Sequence, residues 1–169
     1  PYDVDADGAL DLGVVAYLDD GVVILDNDCP LSTYCVGKQN SKGCTPSIGS
    51  TGTPSLSGPD DFHVTATQEL SQKNGLLFVG VQAAALPFAG GTLCVKPPLK
   101  RTAVQNSGGT VGQTDCTGTY DYHLTNAWLL SKGWSAGVDA FTQYWGRDPQ
   151  HPDGTNVSLS NALRFELEP

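Results

Sequence analysis

Apolar residues along this chain fall into short runs separated by clusters of Gly, Asn, Asp and Pro. After residue 60 the runs are rich in β-branched and aromatic residues, which favour strands. They are FHVTATQ (62–68), GLLFVGVQ (75–82), GTLCVK (91–96), GTYDYHL (118–124), VDAFTQYW (138–145) and NALRFELE (161–168). Many short strands with glycine-rich turns and no alternation with helices predict an all-β fold, a β-sandwich or jelly-roll-like domain. Only TNAWLLSKG (125–133) has the pattern of a short helix, with Thr125 or Asn126 as its cap and Gly133 as its end.

The start of the chain has its own pattern. LGVVAYL (12–18) and GVVILD (21–26) are apolar and rich in β-branched residues, and Asp19-Asp20-Gly21 between them is a turn signal. This arrangement predicts a β-hairpin. A connection rich in Cys, Gly and Ser follows at 29–60. We therefore predict two parts: an N-terminal segment, 1–28, that is a candidate strand donor, and a β-sandwich domain, 29–169, stapled by disulfides.

An aspartate-rich loop precedes the hairpin. Asp3, Asp5, Asp7 and Asp11 follow the pattern D-x-D-x-D-G-x-x-D. Hard oxygen ligands on alternate residues of a tight loop suit Ca²⁺, and Gly8 permits the sharp turn. The position at which an EF-hand needs a bidentate glutamate is Val14, so an EF-hand is excluded. We predict a structural calcium site; the alternative is a solvated acidic turn without metal.

Charge and cysteine content narrow the partners and the compartment. The chain has 18 acidic and 9 basic residues, a net charge of −9, which disfavours nucleic acid and anionic membranes as partners. No apolar run approaches the ~18 residues of a membrane span, so we expect no membrane insertion. Five cysteines without a CxxC pair favour disulfides over a zinc site, and hence an extracellular or cell-surface protein. Their odd number leaves one thiol free or bonded outside the chain.

Two resemblances add to this reading. DVDADGALDLGVVAYLDDGVVILDN (3–27) resembles an FG-GAP/VCBS-type repeat, a unit that forms the blades of secreted β-propellers with a calcium loop in each. One copy cannot form a propeller. The resemblance therefore implies either that further copies have been removed or that the hairpin has another use.

The rest of the chain, about residues 33–169, resembles a set of secreted planctomycete-type domains without an assigned function. The motifs are YC…NSKGCTPSIGSTG (34–52), GLLFVG (75–80), LCVKPPLKRT with SGGT (93–110) and FTQYWGRDP…LSNALRFEL (141–167). The resemblance implies an extracellular β domain with the disulfides Cys35–Cys44 and Cys94–Cys116. On this pairing Cys29 is the spare cysteine, and two interpretations stay open: a bridge between chains or a buried free thiol.

The sequence offers no convergent catalytic set, and we expect no enzyme. GWSAG (133–137) matches the G-x-S-x-G motif of α/β-hydrolases, but that motif requires a strand-to-helix turn in a parallel sheet. The histidines His63, His123 and His151 are dispersed, and we expect them to be strand or surface residues. Asn156-Val157-Ser158 is a sequon, which makes Asn156 a candidate glycosylation site.

Two functions remain. The first is a non-catalytic structural subunit of a cell-surface or shed filament, a homopolymer assembled head-to-tail. Apolar terminal strands need cover, and two options stay open: the hairpin packs on its own domain, or it packs on a neighbouring copy. The alternative is a glycan-binding or adhesion module from the C-terminus of a larger secreted FG-GAP protein. That alternative depends on exposed aromatic rings among Tyr120, Tyr122, Trp128, Trp134, Tyr144 and Trp145. We favour the first, on the hairpin and the odd cysteine.

Overall fold

The fold comes from a computed structural model that describes residues 12–16 and 21–25 as backbone and residues 31–169 in full. The elements in chain order are β1 (Leu12–Ala16), β2 (Gly21–Leu25), β3 (Leu31–Tyr34), β4 (Ser47–Thr51), β5 (His63–Glu69), β6 (Asn74–Gly80), β7 (Ala83–Phe88), β8 (Gly91–Val95), β9 (Lys100–Arg101), β10 (Gln105–Asn106), β11 (Gly118–His123), α1 (Asn126–Leu130), β12 (Asp139–Arg147) and β13 (Val157–Glu166). The chain divides into two compact units, Pro1–Pro30 and Leu31–Pro169.

The second unit is built around two antiparallel sheets. The larger has the order β10-β6-β12-β13-β3, with β9 also paired to β6, and the smaller has the order β11-β5-β4. Alternate residues of β12, Ala140 and Tyr144 among them, are fully buried because that face of the strand looks into the core. The all-β prediction is confirmed, and the two sheets share one core as in a β-sandwich.

Aromatic and aliphatic side chains from both sheets fill this core. The Phe62 ring, just before β5, lies 4.8 Å from the Phe165 ring of β13, centroid to centroid. Tyr120 of β11 stacks on Tyr144 of β12 at 5.3 Å. Helix α1 closes one side with the buried Leu129, and Thr125 caps it by accepting a hydrogen bond from the Trp128 amide. The predicted helix is therefore confirmed, with Thr125 as its cap, but it ends at Leu130 and not at the predicted Gly133.

A second hairpin, β7–β8, covers the opposite face of the large sheet. The buried side-chain amide of Gln143 on β12 holds this hairpin against the sheet. Gln143 Oε1 accepts a hydrogen bond from the Cys94 amide at 3.0 Å, and Gln143 Nε2 donates to the Thr92 and Ser160 carbonyls at 3.0 and 2.8 Å. One polar side chain therefore ties β8 to both β12 and β13.

The disulfide pairing implied by the resemblance is wrong. The structure joins Cys35 to Cys94 and Cys44 to Cys116. Cys35 follows β3, and the preceding Tyr34 donates its hydroxyl to the Cys94 carbonyl at 2.7 Å, so β3 and β8 meet there. Cys44 instead closes a turn in which the Asn40 amide donates to its carbonyl at 2.7 Å. All four predicted cysteines are bridged, but each partner lies far away along the chain.

The first unit contains one described hairpin. β1 pairs antiparallel with β2 in a register from Leu12↔Leu25 to Ala16↔Gly21, which confirms the predicted hairpin. The predicted calcium ligands Asp3, Asp5, Asp7 and Asp11, the turn residues Asp19 and Asp20, and Cys29 lie outside the described residues. Among the residues that are described, none belongs to a helix long and apolar enough to cross a membrane.

Candidate functional site

A pocket of about 390 Å³ lies beside the buried Lys38, lined by residues 36–40, 90–92 and 151–153. The Lys38 ammonium donates to the Ala89 carbonyl at 2.6 Å and the Thr155 hydroxyl at 2.7 Å, and pairs with Asp153 at 2.7 Å. The hydrogen bond from Lys38 lowers the pKa of Asp153 well below its ordinary value. All three donors of this lysine are used, so the lysine holds three loops together.

His151 belongs to the same cluster. Its Nδ1 lies 2.7 Å from Asp153 Oδ1, and its Nε2 lies 2.9 Å from the Gln39 carbonyl. The sequence places Asp148 near His151, but the structure pairs the imidazole with Asp153 instead. Both ring nitrogens are engaged, which gives His151 the structural role expected for it.

The other two histidines, which are distant in sequence, stack at the end of the β5–β11 pair. Their rings lie 4.6 Å apart and nearly parallel. His63 Nδ1 is 2.7 Å from Asp121 Oδ1, and His123 Nε2 is 3.3 Å from Asp60 Oδ1. The register opposes His63 and His123, and sequence spacing alone does not reveal this. Each ring lies beside a carboxylate of its own, and both histidine side chains are about one third exposed.

A buried carboxyl pair, Glu69 and Asp148, lies at the far end of β5. Both side chains are fully buried, and each has one oxygen without a hydrogen-bond partner in the described part of the chain. Ser158 donates to Glu69 Oε2 at 3.0 Å, and the Ser41 amide donates to Asp148 Oδ2 at 2.7 Å. Desolvation raises the pKa of Glu69 to about 7, against the Ser158 hydrogen bond and with help from the Asp148 charge. Sequence reasoning missed this pair, since an isolated Glu and Asp give no signal.

Gly146 on β12 makes room for that pair. A Cβ built there would lie 2.6 Å from Ser158 Oγ and 2.9 Å from Glu69 Oε2. Any other residue would displace the Ser158 hydroxyl that donates to this carboxylate. Carboxylate and hydroxyl oxygens suit hard cations, but the described residues contain no group of three or more His, Cys, Asp or Glu placed to hold a metal.

The aromatic residues separate into three environments. Tyr120 and Tyr144 are buried in the core, so they cannot form a sugar-binding platform. Trp128 and Trp134 are partly buried against the core, and their rings meet edge-to-face with centroids 6.1 Å apart. The Lys132 ammonium lies 4.3 Å from the centroid of the Trp128 ring. Tyr122 also packs, partly buried, against the core. Trp145 lines a cavity of about 220 Å³ together with Leu76, Phe78, Phe88 and Arg101.

The strand next to that cavity is unusually apolar for its exposure. In β7 five of the six residues are exposed, and β7 pairs with β8 alone within the described chain. Val81, Leu86 and Phe88 are among the few large apolar side chains left exposed. Next to them, the segment after β8 carries Lys96, Lys100 and Arg101, all exposed. An apolar strand with a basic border is the most distinctive surface of this unit.

The remaining sequence candidates lie apart from these features. Ser135 of GWSAG lies in an exposed loop that leads from α1 into the antiparallel strand β12, the reverse of the strand-to-helix turn of a nucleophile elbow. Asn156 is exposed in the loop before β13, and its modification stays a prediction.

No family model matches this chain, and no curated protein or solved structure matches it either. The FG-GAP/VCBS and planctomycete-type resemblances therefore stay predictions.

Proposed function

We propose that this protein is a non-catalytic extracellular structural subunit that assembles head-to-tail, the N-terminal β segment of one copy binding the next copy. The observation that carries the proposal is the β1–β2 hairpin, a two-stranded sheet in a unit of its own. An isolated two-stranded hairpin is at best marginally stable in water. Because its sequence is rich in Val, Ile and Leu, such a hairpin gains most by packing on another surface.

Head-to-tail binding between copies leads to a polymer. The donor segment and its acceptor are different surfaces of one chain, so each bound copy still presents a free donor and a free acceptor. Heterologous contacts of this kind extend into filaments unless the rotation closes a ring.

Charge distribution supports the same arrangement. Residues 1–30 contain eight of the 18 acidic residues and none of the 9 basic ones, while residues 31–169 contain ten acidic and all nine basic residues. An acidic segment and a nearly neutral body with local basic patches attract each other between copies, where two uniformly acidic surfaces would repel.

The compartment follows from the covalent links. Two disulfides join residues 59 and 72 positions apart in the sequence, which supports folding in an oxidising environment. Calcium at Asp3, Asp5, Asp7 and Asp11 would stiffen the entry to the hairpin and lower its charge. A bridge through Cys29 would lock the joint between copies.

The experiment is negative-stain imaging of the purified full chain with calcium and then with a chelator. We expect filaments with calcium and shorter or fewer filaments in chelator. A full chain carrying Cys29→Ser separates a covalent lock from the non-covalent contact, and we expect its filaments to form but dissociate more readily on dilution. Monodisperse particles in every condition would overturn the proposal.

A glycan-binding module is the second candidate, and the cavity beside Trp145 is the observation that favours it. Exposed aromatic faces bind sugar rings, and Arg101 supplies hydrogen-bond donors at the rim. On this alternative the protein is monomeric and binds an immobilised polysaccharide, and Trp145→Ala abolishes that binding. A glycan array with the wild-type chain and this variant decides between the two.

A further inference from the structure

The outer strand β7 exposes apolar side chains that a monomer would be expected to cover. Leu86 is 46% exposed, Phe88 37% and the preceding Val81 44%. Large exposed apolar residues within one short segment mark interaction sites more often than isolated ones do. The segment is also held rigidly, because β8 is tied to the large sheet through Gln143 and the Cys35–Cys94 disulfide. It is therefore a preformed surface.

A cavity of about 220 Å³ opens under Phe88. Its other walls are Leu76, Phe78 and Trp145, and the Arg101 guanidinium carbon lies 5.8 Å from the Phe78 ring centroid. An apolar side chain that enters this cavity loses contact with water and meets aromatic walls. Such a pocket is the usual anchor point of a protein interface.

The border of this surface is positively charged. Lys96, Lys100 and Arg101 are exposed within one short segment. Neither the Lys96 nor the Lys100 ammonium has an ion-pair or hydrogen-bond partner within residues 31–169. The surface is therefore complementary to an apolar partner that carries carboxylates at its ends.

The N-terminal segment of the same chain has this composition. Its two strands are apolar, and Asp19, Asp20, Asp26 and Asp28 flank them outside the predicted calcium loop. With five residues each, β1 and β2 match the six-residue β7 in length. We propose that the acceptor surface formed by Val81, Leu86, Phe88, Lys96, Lys100 and Arg101 binds the N-terminal hairpin of a second copy. This inference rests on the proposed head-to-tail assembly and identifies where it occurs.

Side chains and charge carry the contact more than backbone pairing does. Pro87 offers no amide to an incoming strand, and the β7–β8 register shifts between Ala83 and Leu86, which bends the edge. An incoming strand can therefore form few backbone hydrogen bonds with β7, whereas the apolar side chains and the basic border stay accessible. The contact should therefore weaken as ionic strength rises.

Charge reversal in the full chain tests the proposal. The acceptor variant carries Lys96→Glu, Lys100→Glu and Arg101→Glu, and the donor variant carries Asp19→Lys, Asp20→Lys and Asp26→Lys. We expect each variant alone to need about tenfold more protein than wild type, or more, before filaments sediment, since like charges then meet at the joint. A chain carrying both sets restores opposite charges across the joint and should assemble near the wild-type concentration.

Control variants separate this effect from net charge and from misfolding. Lys42→Glu, Lys132→Glu and Arg147→Glu change the net charge equally at other sites and should leave assembly unchanged. Lys96→Glu with Lys100→Glu alone spares the Arg101–Phe78 contact, and its thermal unfolding should match that of wild type. Two results would overturn this acceptor surface while leaving filament formation by the wild type intact. One is an acceptor variant that assembles like wild type, and the other is a chain with both sets of substitutions that does not regain assembly. Absence of wild-type filaments would instead overturn the proposed function.

Discussion

Among the described single residues, the buried Glu69 is expected to make stability depend on pH between the acidic and neutral ranges. Burial raises its pKa from 4.5 to about 7, so the folded state holds this proton more tightly than the unfolded chain does. Its stabilising contribution is therefore complete below pH 4.5 and is lost as the pH rises through about 7. At 1.36 kcal/mol per pKa unit, the free energy of unfolding falls by roughly 3 kcal/mol over this range.

Glu69→Gln should remove this loss. The amide oxygen keeps an acceptor for Ser158 but carries no charge, so the free energy of unfolding should be flatter between pH 4.5 and 7 than in wild type. Urea unfolding across this range measures the slope. Glu168→Gln alters an exposed carboxylate and should keep the wild-type slope. An unchanged slope in Glu69→Gln would show that the pH dependence arises elsewhere.

Lys38 is the second residue whose removal should matter. Lys38→Met keeps most of the aliphatic stem but leaves the Ala89 carbonyl, the Thr155 hydroxyl and Asp153 without their shared donor. We expect a loss of about 2–3 kcal/mol in the free energy of unfolding, because polar groups then lack partners. The matched variant Lys42→Met, at an exposed site, should change it by less than ~0.5 kcal/mol. Equal effects of the two would contradict the structural role of Lys38.

At the scale of the elements, the two disulfides connect segments of the second unit that are not paired with each other in a sheet. Cys35–Cys94 links the end of β3 to β8, and Cys44–Cys116 links the loop before β4 to the loop before β11. Closing loops of 59 and 72 residues removes unfolded-state entropy worth roughly 4 kcal/mol each.

Peptide mapping distinguishes the observed pairing from the local one. Trypsin cleavage of the unreduced protein should yield 1–38 linked to 74–100, and 43–73 linked to 102–132, because the bond after Lys96 precedes proline and resists cleavage. The pairing Cys35–Cys44 and Cys94–Cys116 would instead link 1–38 to 43–73 and 74–100 to 102–132. Reduction before digestion should release all four peptides, and mass spectrometry identifies each product.

Local sequence predicted some elements much better than others. The strands β5, β6, β8, β11 and β12 begin within a residue of their predicted starts, because each has a β-branched or aromatic run between turn signals. The strands β4 and β7 were missed. Ser, Gly and Ala dominate them, and these residues have weak strand preference. β4 exists because it pairs with β5 and because the Ile48 amide donates to the Asn161 side chain at 2.8 Å.

At the scale of the whole molecule, the separation of charge and the predicted calcium loop act together. Residues 1–30 carry eight aspartates without a basic residue, so self-repulsion within this unit is large unless a cation binds. A bound Ca²⁺ would offset part of that charge and leave the flanking aspartates for contact with another copy.

Calcium titration tests the loop directly. Isothermal titration of the full chain should give one binding event, and Asp3→Asn with Asp5→Asn and Asp7→Asn should abolish it by removing the carboxylate ligands. Asp19→Asn with Asp20→Asn and Asp28→Asn makes the same change of charge outside the loop and should retain binding. Equal binding by both variants would mean that the loop is a solvated turn.

By itself, the sequence determined the all-β class, the N-terminal hairpin, the capped helix and the involvement of four cysteines in disulfides. These properties depend on local periodicity, turn residues and composition, which a single chain displays. The tertiary structure decided which cysteines pair, that His63 and His123 stack, that Glu69 and Asp148 are buried together, and that β7 is left exposed beside a basic border. Each of these depends on which strands become neighbours, and strand order is set by the long-range packing of the whole core.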